Sequence, residues 1–200
     1  MKVGVILSRC QPLHNGHIEM INKALLENDK VLFIIGSADK SCTERNPFSI
    51  SYRINIFKKA LDFVDDKSMV SFITLRDLSS DDNIPKQSNK DGVVDDALLV
   101  NKEWGMYLYY NIVNAIGQKD FTFYYNDDSS LVSAWFPNFI WNRITISSSF
   151  RLDNISSSVI RDAMRNKHKE YLKRCLPYLQ EDIDNMLTTY NNIIAKEEVQ

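Results

Sequence analysis

Alternation of strand-like and helix-like runs predicts an α/β chain: an open parallel sheet of about five strands, with helices on both faces. Three observations carry the prediction. Apolar periodicity switches repeatedly between the two patterns along the chain. The strand-like runs are nearly continuous in apolar residues, as strands covered on both faces are. Each run is followed by a polar cluster, which puts all the polar clusters on one edge of the predicted sheet. In open α/β sheets ligands bind beyond that edge, where the strand order reverses.

The elements follow in order. "KVGVILS" (2–8) reads as the first strand, and "GHIEMINKALLEN" (16–28) as a helix with Ile18, Ile21 and Leu25 on one face. "KVLFIIGS" (30–37) reads as the second strand, and "SISYRINIFKKALDFV" (49–64) as a helix whose apolar face holds Ile50, Ile54, Phe57, Leu61 and Val64. "SMVSFITL" (68–75) is the third strand. Residues 76–92 are polar, contain Pro85 and Gly92, and read as a long loop that could act as a mobile flap. A helix is expected over 95–117, with Gly105 a candidate interruption, then strands over 120–126 and 139–147. Helices are expected over 157–167 and 176–195. So many strand–helix repeats imply parallel strands joined by right-handed crossovers.

The chain has 200 residues, 44% of them hydrophobic, enough for a core. This suggests one domain over 1–200, with a helical extension from about 169. A formal net charge of −2 gives no global basic field, which speaks against a nucleic-acid or membrane-surface partner. No apolar run approaches the roughly 20 residues of a membrane span. "MKVGVILSRC" reads as a first strand and not as a signal peptide. Cys10, Cys42 and Cys175 are few and widely spaced, against a disulfide framework and for a reducing, cytoplasmic setting.

Glycine-rich dinucleotide and P-loop signatures are missing, and so is HExxH. What remains is "SRCQPLHNGH" (8–17), where His14 and His17 flank Gly16 between a strand and a helix. The pair could be metal ligands, phosphate contacts or ordinary loop histidines. Zinc would need further N or S ligands, and only His168 remains without a nearby cysteine cluster; no metal site is assigned. A helix N-terminus offers unpaired N–H donors and partial positive charge, and imidazoles add donors toward a polyphosphate. "ISSSVIR" (155–161) lies at a second strand–helix junction. Ser156, Ser157 and Ser158 can cap the helix and donate to phosphate oxygens, with Arg161 in reach.

Together the two segments resemble the HxGH nucleotidyltransferases, which pair HxGH after the first strand with ISSTxxR after the fifth. "SRCQPLHNGH" is similar to the GRFQPFHxGH pattern of archaeal-type nicotinamide mononucleotide adenylyltransferases. "IGSADKSCTERNPFSISYR" (35–53) resembles their GSAxxSxTxxNPFTAGER segment, and "RDL" (76–78) and "NKEW" (101–104) resemble two further elements. The resemblance is patchy and spans residues 3–165. Ser8 stands where the pattern has glycine, Cys10 where it has an apolar aromatic or methionine, and "SISYR" replaces TAGER. The 76–100 segment is longer than in the archaeal enzymes.

The resemblance implies a Rossmann-like fold and transfer of an adenylyl group from ATP to nicotinamide mononucleotide, giving NAD and pyrophosphate, with Mg²⁺ accompanying ATP. It implies catalytic roles for His14, His17 and Arg161. ATP would meet Ser8, Arg9, Gly16, Asn126 and Ser156–Ser158; the acceptor would meet Gln11, Ser37, Arg45, Phe48, Asp77 and Trp104. Another phosphate acceptor, or a non-catalytic nucleotide-binding regulator, would use the same fold. A C-terminal stripe of Leu179, Ile183, Met186, Tyr190 and Ile193 could support contacts between copies, as in a homo-oligomer.

Overall fold

A computed structural model describes residues 1–78, 93–125, 132, 135–136, 140–148 and 155–197. Five parallel strands form one sheet in the order β3-β2-β1-β4-β5. They are β1 (Val3–Ser8), β2 (Lys30–Ile35), β3 (Val70–Thr74), β4 (Phe121–Tyr125) and β5 (Ile144–Ser148). The chain runs outward from β1 to β3, then returns to the other side of β1 with β4. The order therefore reverses between β1 and β4, which pair from Gly4 with Thr122 to Ile6 with Tyr124.

Alternation along β2 sends side chains to two separate cores. Val31, Phe33 and Ile35 join α1 (Asn15–Glu27) and α2 (Ile50–Ala60) on one face. Leu32 and Ile34 meet Leu108 and Ile112 of α3 (Val93–Ile116) on the other. Burial of both faces explains why the strands read as apolar runs without a polar alternation. Each fully buried Ile or Phe contributes about 1.5–3 kcal/mol.

The first face is the thicker. It also carries α4 (Ser157–Arg165), α5 (Lys169–Cys175) and α6 (Ile183–Glu197). Leu172, Cys175, Ile183, Met186 and Tyr190 belong to the same buried cluster as Ile6 and Phe33. Most of the C-terminal apolar stripe is thus turned inward: Leu179, Ile183, Met186 and Tyr190 fill the chain's own core, while Ile193 is half-buried.

Four boundaries differ from the sequence expectation. The helix expected over 176–195 is interrupted, because Leu176, next to Pro177, leaves helical geometry (φ −131°, ψ 58°) and a short 3₁₀ turn over Pro177–Leu179 precedes α6. The unpredicted α5 occupies the preceding residues. The third and fifth strands are shorter at their starts, since Lys67–Met69 and Trp141–Arg143 form 3₁₀ turns. Gly105 does not interrupt α3; a Cβ there would lie 1.4 Å from the Trp135 carbonyl oxygen, so the glycine lets another segment's backbone press against the helix. Most of the 76–92 loop lies outside the described residues.

Candidate active site

A cleft of about 500 Å³ opens at the C-terminal strand ends, over the β1/β4 switch point. Its floor is the turn from β1 into α1. His14 is the N-cap of α1 in extended geometry (φ −147°, ψ 169°), and His17 is the third helical residue. The His17 Nδ1 accepts the His14 backbone N–H at 3.1 Å. This is the return bond that Glu or Gln makes in a capping box. The two imidazole centroids are 4.0 Å apart, and the edge of Phe33 lies against His17, 6.4 Å between centroids. Burial pushes the His17 pKa down to about 4, so the ring is neutral. With Nδ1 accepting, its proton sits on Nε2, which donates to Ser8 Oγ at 2.6 Å. Gly16 is needed here for packing, since a Cβ would press within 3.2 Å of the His14 ring.

The β5–α4 junction closes one wall. Ser156 caps α4 by accepting the Val159 N–H at 3.3 Å, and its hydroxyl lies 2.8 Å from that of Ser158. Two side chains of α4 reach the first loop. Ser157 Oγ donates to the Pro12 carbonyl at 3.1 Å, and Arg161 donates to the Gln11 carbonyl at 2.9 Å. Burial, with repulsion from Arg9 and Arg45, holds Arg161 below the usual guanidinium pKa, against the opposing influence of Tyr190 and Glu44. Two cations of the lining, Arg9 and Arg161, are therefore close enough to feel one another, with Arg45 nearby outside it, an arrangement suited to a polyanion.

The opposite wall follows β2 and β3. Ser37 sits in left-handed geometry (φ +48°), and its hydroxyl donates to Asp77 at 3.1 Å. The Asp77 N–H is accepted by Asp39 at 2.9 Å. Trp104, from α3, completes this end, with Tyr107 5.7 Å away and Trp135 edge-on at 6.5 Å.

His14, His17, Ser8, Arg9, Arg161 and the three serines thus line one cleft, together with Gln11, Ser37, Asp77 and Trp104. Three expected contacts, among them the buried Gly16, fall outside the lining. Phe48 is buried in the core, stacked on Tyr52 at 4.8 Å, and does not reach the cleft. Arg45 is exposed and lies outside the lining. Although Gln11 lines the cleft, its amide is engaged: Oε1 accepts the Phe48 N–H and Nε2 donates to the Phe48 carbonyl, both at 2.9 Å. It acts as a clasp between two loops, with one amide N–H and one oxygen lone pair left beyond these two bonds. Asn126 lies outside the described residues.

Two residues escaped the sequence reading. Arg53 is fully buried and donates to the carbonyls of Arg9 (2.8 Å), Gly36 (2.7 Å), Ser37 (2.9 Å) and Lys40 (3.4 Å). It ties the loop after β1 to the loop after β2. The signal was a charge on the apolar face of α2, between Ile50 and Phe57. Trp135, which also lines the cleft, gave no periodic signal in the sequence.

A parallel sheet that reverses order beside a loop–helix anion site defines an α/β protein of the nucleotide-handling kind. The chain belongs to the cytidylyltransferase-like family, whose model matches residues 9–163. Among curated relatives it is 37% identical over 78 residues to a nicotinamide-nucleotide adenylyltransferase of Thermococcus onnurineus, covering 39% of this chain and 42% of that protein. It is 44% identical over 57 residues to one from Picrophilus torridus, covering 28% and 34%. These matches span less than half of the relatives' length. Among solved structures, a bifunctional NMN adenylyltransferase/ADP ribose pyrophosphatase of Francisella tularensis, complexed with AMP and a manganese ion, has the same fold. Its TM-score is 0.71 at 18% identity, over 99% of this chain and 53% of that one.

Proposed function

We propose that this chain transfers an adenylyl group from ATP to nicotinamide mononucleotide, releasing pyrophosphate and forming NAD. The observation that carries the reading is the joining of the HxGH turn to the ISSSxxR junction through Ser157–Pro12 and Arg161–Gln11. It brings imidazoles, hydroxyls, a helix N-terminus and guanidinium groups to one cleft. The acceptor phosphate is already an anionic nucleophile and needs no general base. Catalysis then consists of alignment for in-line attack on the α-phosphorus and of stabilising charge. His14 and His17 serve the phosphates, while Arg9 and Arg161 meet the leaving pyrophosphate. At the other end, Asp77 can accept from the carboxamide and Trp104 can stack on the pyridinium ring. Exposed Arg45 serves at most as a rim cation for the mononucleotide phosphate.

Among the described residues no three His, Cys, Asp or Glu side chains gather into a metal-binding group. An Mg²⁺ ion arriving with ATP would take phosphate oxygens and water as ligands, and would supply neutralisation of phosphate charge. Three unpaired cysteines support a reducing, cytoplasmic setting, and no described helix is long and apolar enough to cross a membrane.

Pyrophosphate release with ATP or CTP and a panel of acceptors tests the reading. ATP with nicotinamide mononucleotide should give the fastest release, and NAD as product. Faster release with phosphopantetheine or a small phosphate would replace the acceptor assignment, and no release with any pair would refute the transfer.

A further inference from the structure

Ser8 is a departure from the pattern that the rest of its loop resembles, which has glycine at this position. Its Oγ lies at the centre of a small network. It takes the Nε2 proton of His17 at 2.6 Å and the backbone N–H of Cys10 at 3.2 Å. Cys10 is itself in left-handed geometry (φ +52°), which turns its N–H toward the hydroxyl. Both lone pairs of the oxygen are then filled. A hydroxyl has one donor and two acceptor positions, so only its own O–H remains to be given, and Ser8 lines the cleft. The His17 Nε2–H, meanwhile, is engaged by Ser8 and is not directly available to a phosphate.

We propose that Ser8 is a further catalytic residue: its hydroxyl donates to the α-phosphate of ATP, and His17 acts on that phosphate through it. This deepens the adenylyl-transfer reading and rests on it. The bond from His17 polarises the hydroxyl, and the chain His17–Ser8–phosphate strengthens cooperatively as charge develops on the phosphate oxygens. No proton has to change owner. A neutral imidazole is the form the relay needs, and the burial of His17 keeps it so across physiological pH.

The test compares S8A, S8G, S8T and H17A with the parent, alone and in pairs, in the pyrophosphate-release assay. Both S8A and S8G should lower kcat about 10²–10³-fold, as much as H17A does, with the KM for ATP changed less than about twofold, as expected for loss of one transition-state donor. S8T keeps the hydroxyl and should recover most of the rate. Adding S8A to H17A should cost little beyond H17A alone, because the two act in series. Glycine is the pattern's own residue here, so S8G stands in if S8A misfolds. Turnover in S8G equal to or faster than the parent would overturn the proposal and make the hydroxyl a plug that phosphate must displace. Fully additive costs would also overturn it. If the parent releases no pyrophosphate with any mononucleotide, the transfer reading fails, and ¹⁵N spectra of the His17 ring decide the relay separately. The His14 N–H holds the Nε2–H tautomer in both proteins, so ATP should shift the Nε2 resonance of the parent through Ser8 and leave that of S8A nearly unmoved; an equal response to ATP in both would refute the relay.

Discussion

The two walls of the cleft are built in different ways. On the phosphate side, the groups that face ligand are held by short bonds to backbone: His17 by the His14 N–H, Arg161 by the Gln11 carbonyl, Ser157 by the Pro12 carbonyl. On the acceptor side, the ligand-facing groups depend on other side chains. Ser37 leans on Asp77, Asp77 on Asp39, and Trp104 on Tyr107 and Trp135. Backbone anchors tolerate sequence change around them, whereas a chain of side chains changes whenever one member does. On the proposed reading, this arrangement fixes the reaction and leaves the acceptor adjustable.

The largest effect should come from the residue that joins the two walls. Replacing Arg53 with Met removes four hydrogen bonds to carbonyls of the two loops, two of them buried, a loss of about 4 kcal/mol at ~1 kcal/mol per hydrogen bond. Chemical denaturation would register it as a lower midpoint. If R53M is as stable as the parent, the walls stand independently and the comparison must be redrawn.

H17A should lower kcat about 10²–10³-fold while the KM for ATP moves little. A mainly raised KM would show that the phosphate side binds ATP and its transition state equally, removing the functional distinction between the walls.

Acid should expose the phosphate side alone. His17 titrates near 4 when folded, against about 6.5 unfolded. As pH falls, the unfolded chain takes up the proton first, so stability declines between about 6.5 and 4 and this contribution levels off below. The loss should be on the order of 2–3 kcal/mol, and H17N should remove that part of the slope. An unchanged slope in H17N would assign the acid sensitivity elsewhere.

The smallest change belongs to the adjustable wall. W104A should raise the KM for nicotinamide mononucleotide about tenfold, matching one cation–π contact of ~1–2 kcal/mol, with kcat nearly unchanged. Loss of folding without a specific KM effect would make Trp104 a packing residue.

The same contrast marks what the sequence made legible. Strands buried on both faces appear as apolar runs, and each of the two strand–helix junctions that line the cleft is a short continuous segment, so the fold and these two parts of the lining could be read. Gln11 was noticed for its position, but its clasp on Phe48 could not be read, because that partner is 37 residues away. Arg53 carries its meaning in four carbonyls, and a carbonyl has no letter in a sequence. Pro177 was visible, yet its effect in separating α5 from α6 was outweighed by the periodic apolar stripe across it. Phe48 shared a segment with acceptor residues, but its ring turned to the core because α2 supplied Tyr52 for it to stack on.

The ties from Ser157 to Pro12 and from Arg161 to Gln11 cross 145 and 150 residues. A ribosome releases the HxGH turn early, and the partner wall only after every strand of the sheet has been made. Until then the nascent chain has one half of the cleft and no means of closing it. Closure of the cleft thus waits for α4, well after the first loop and helix have left the ribosome.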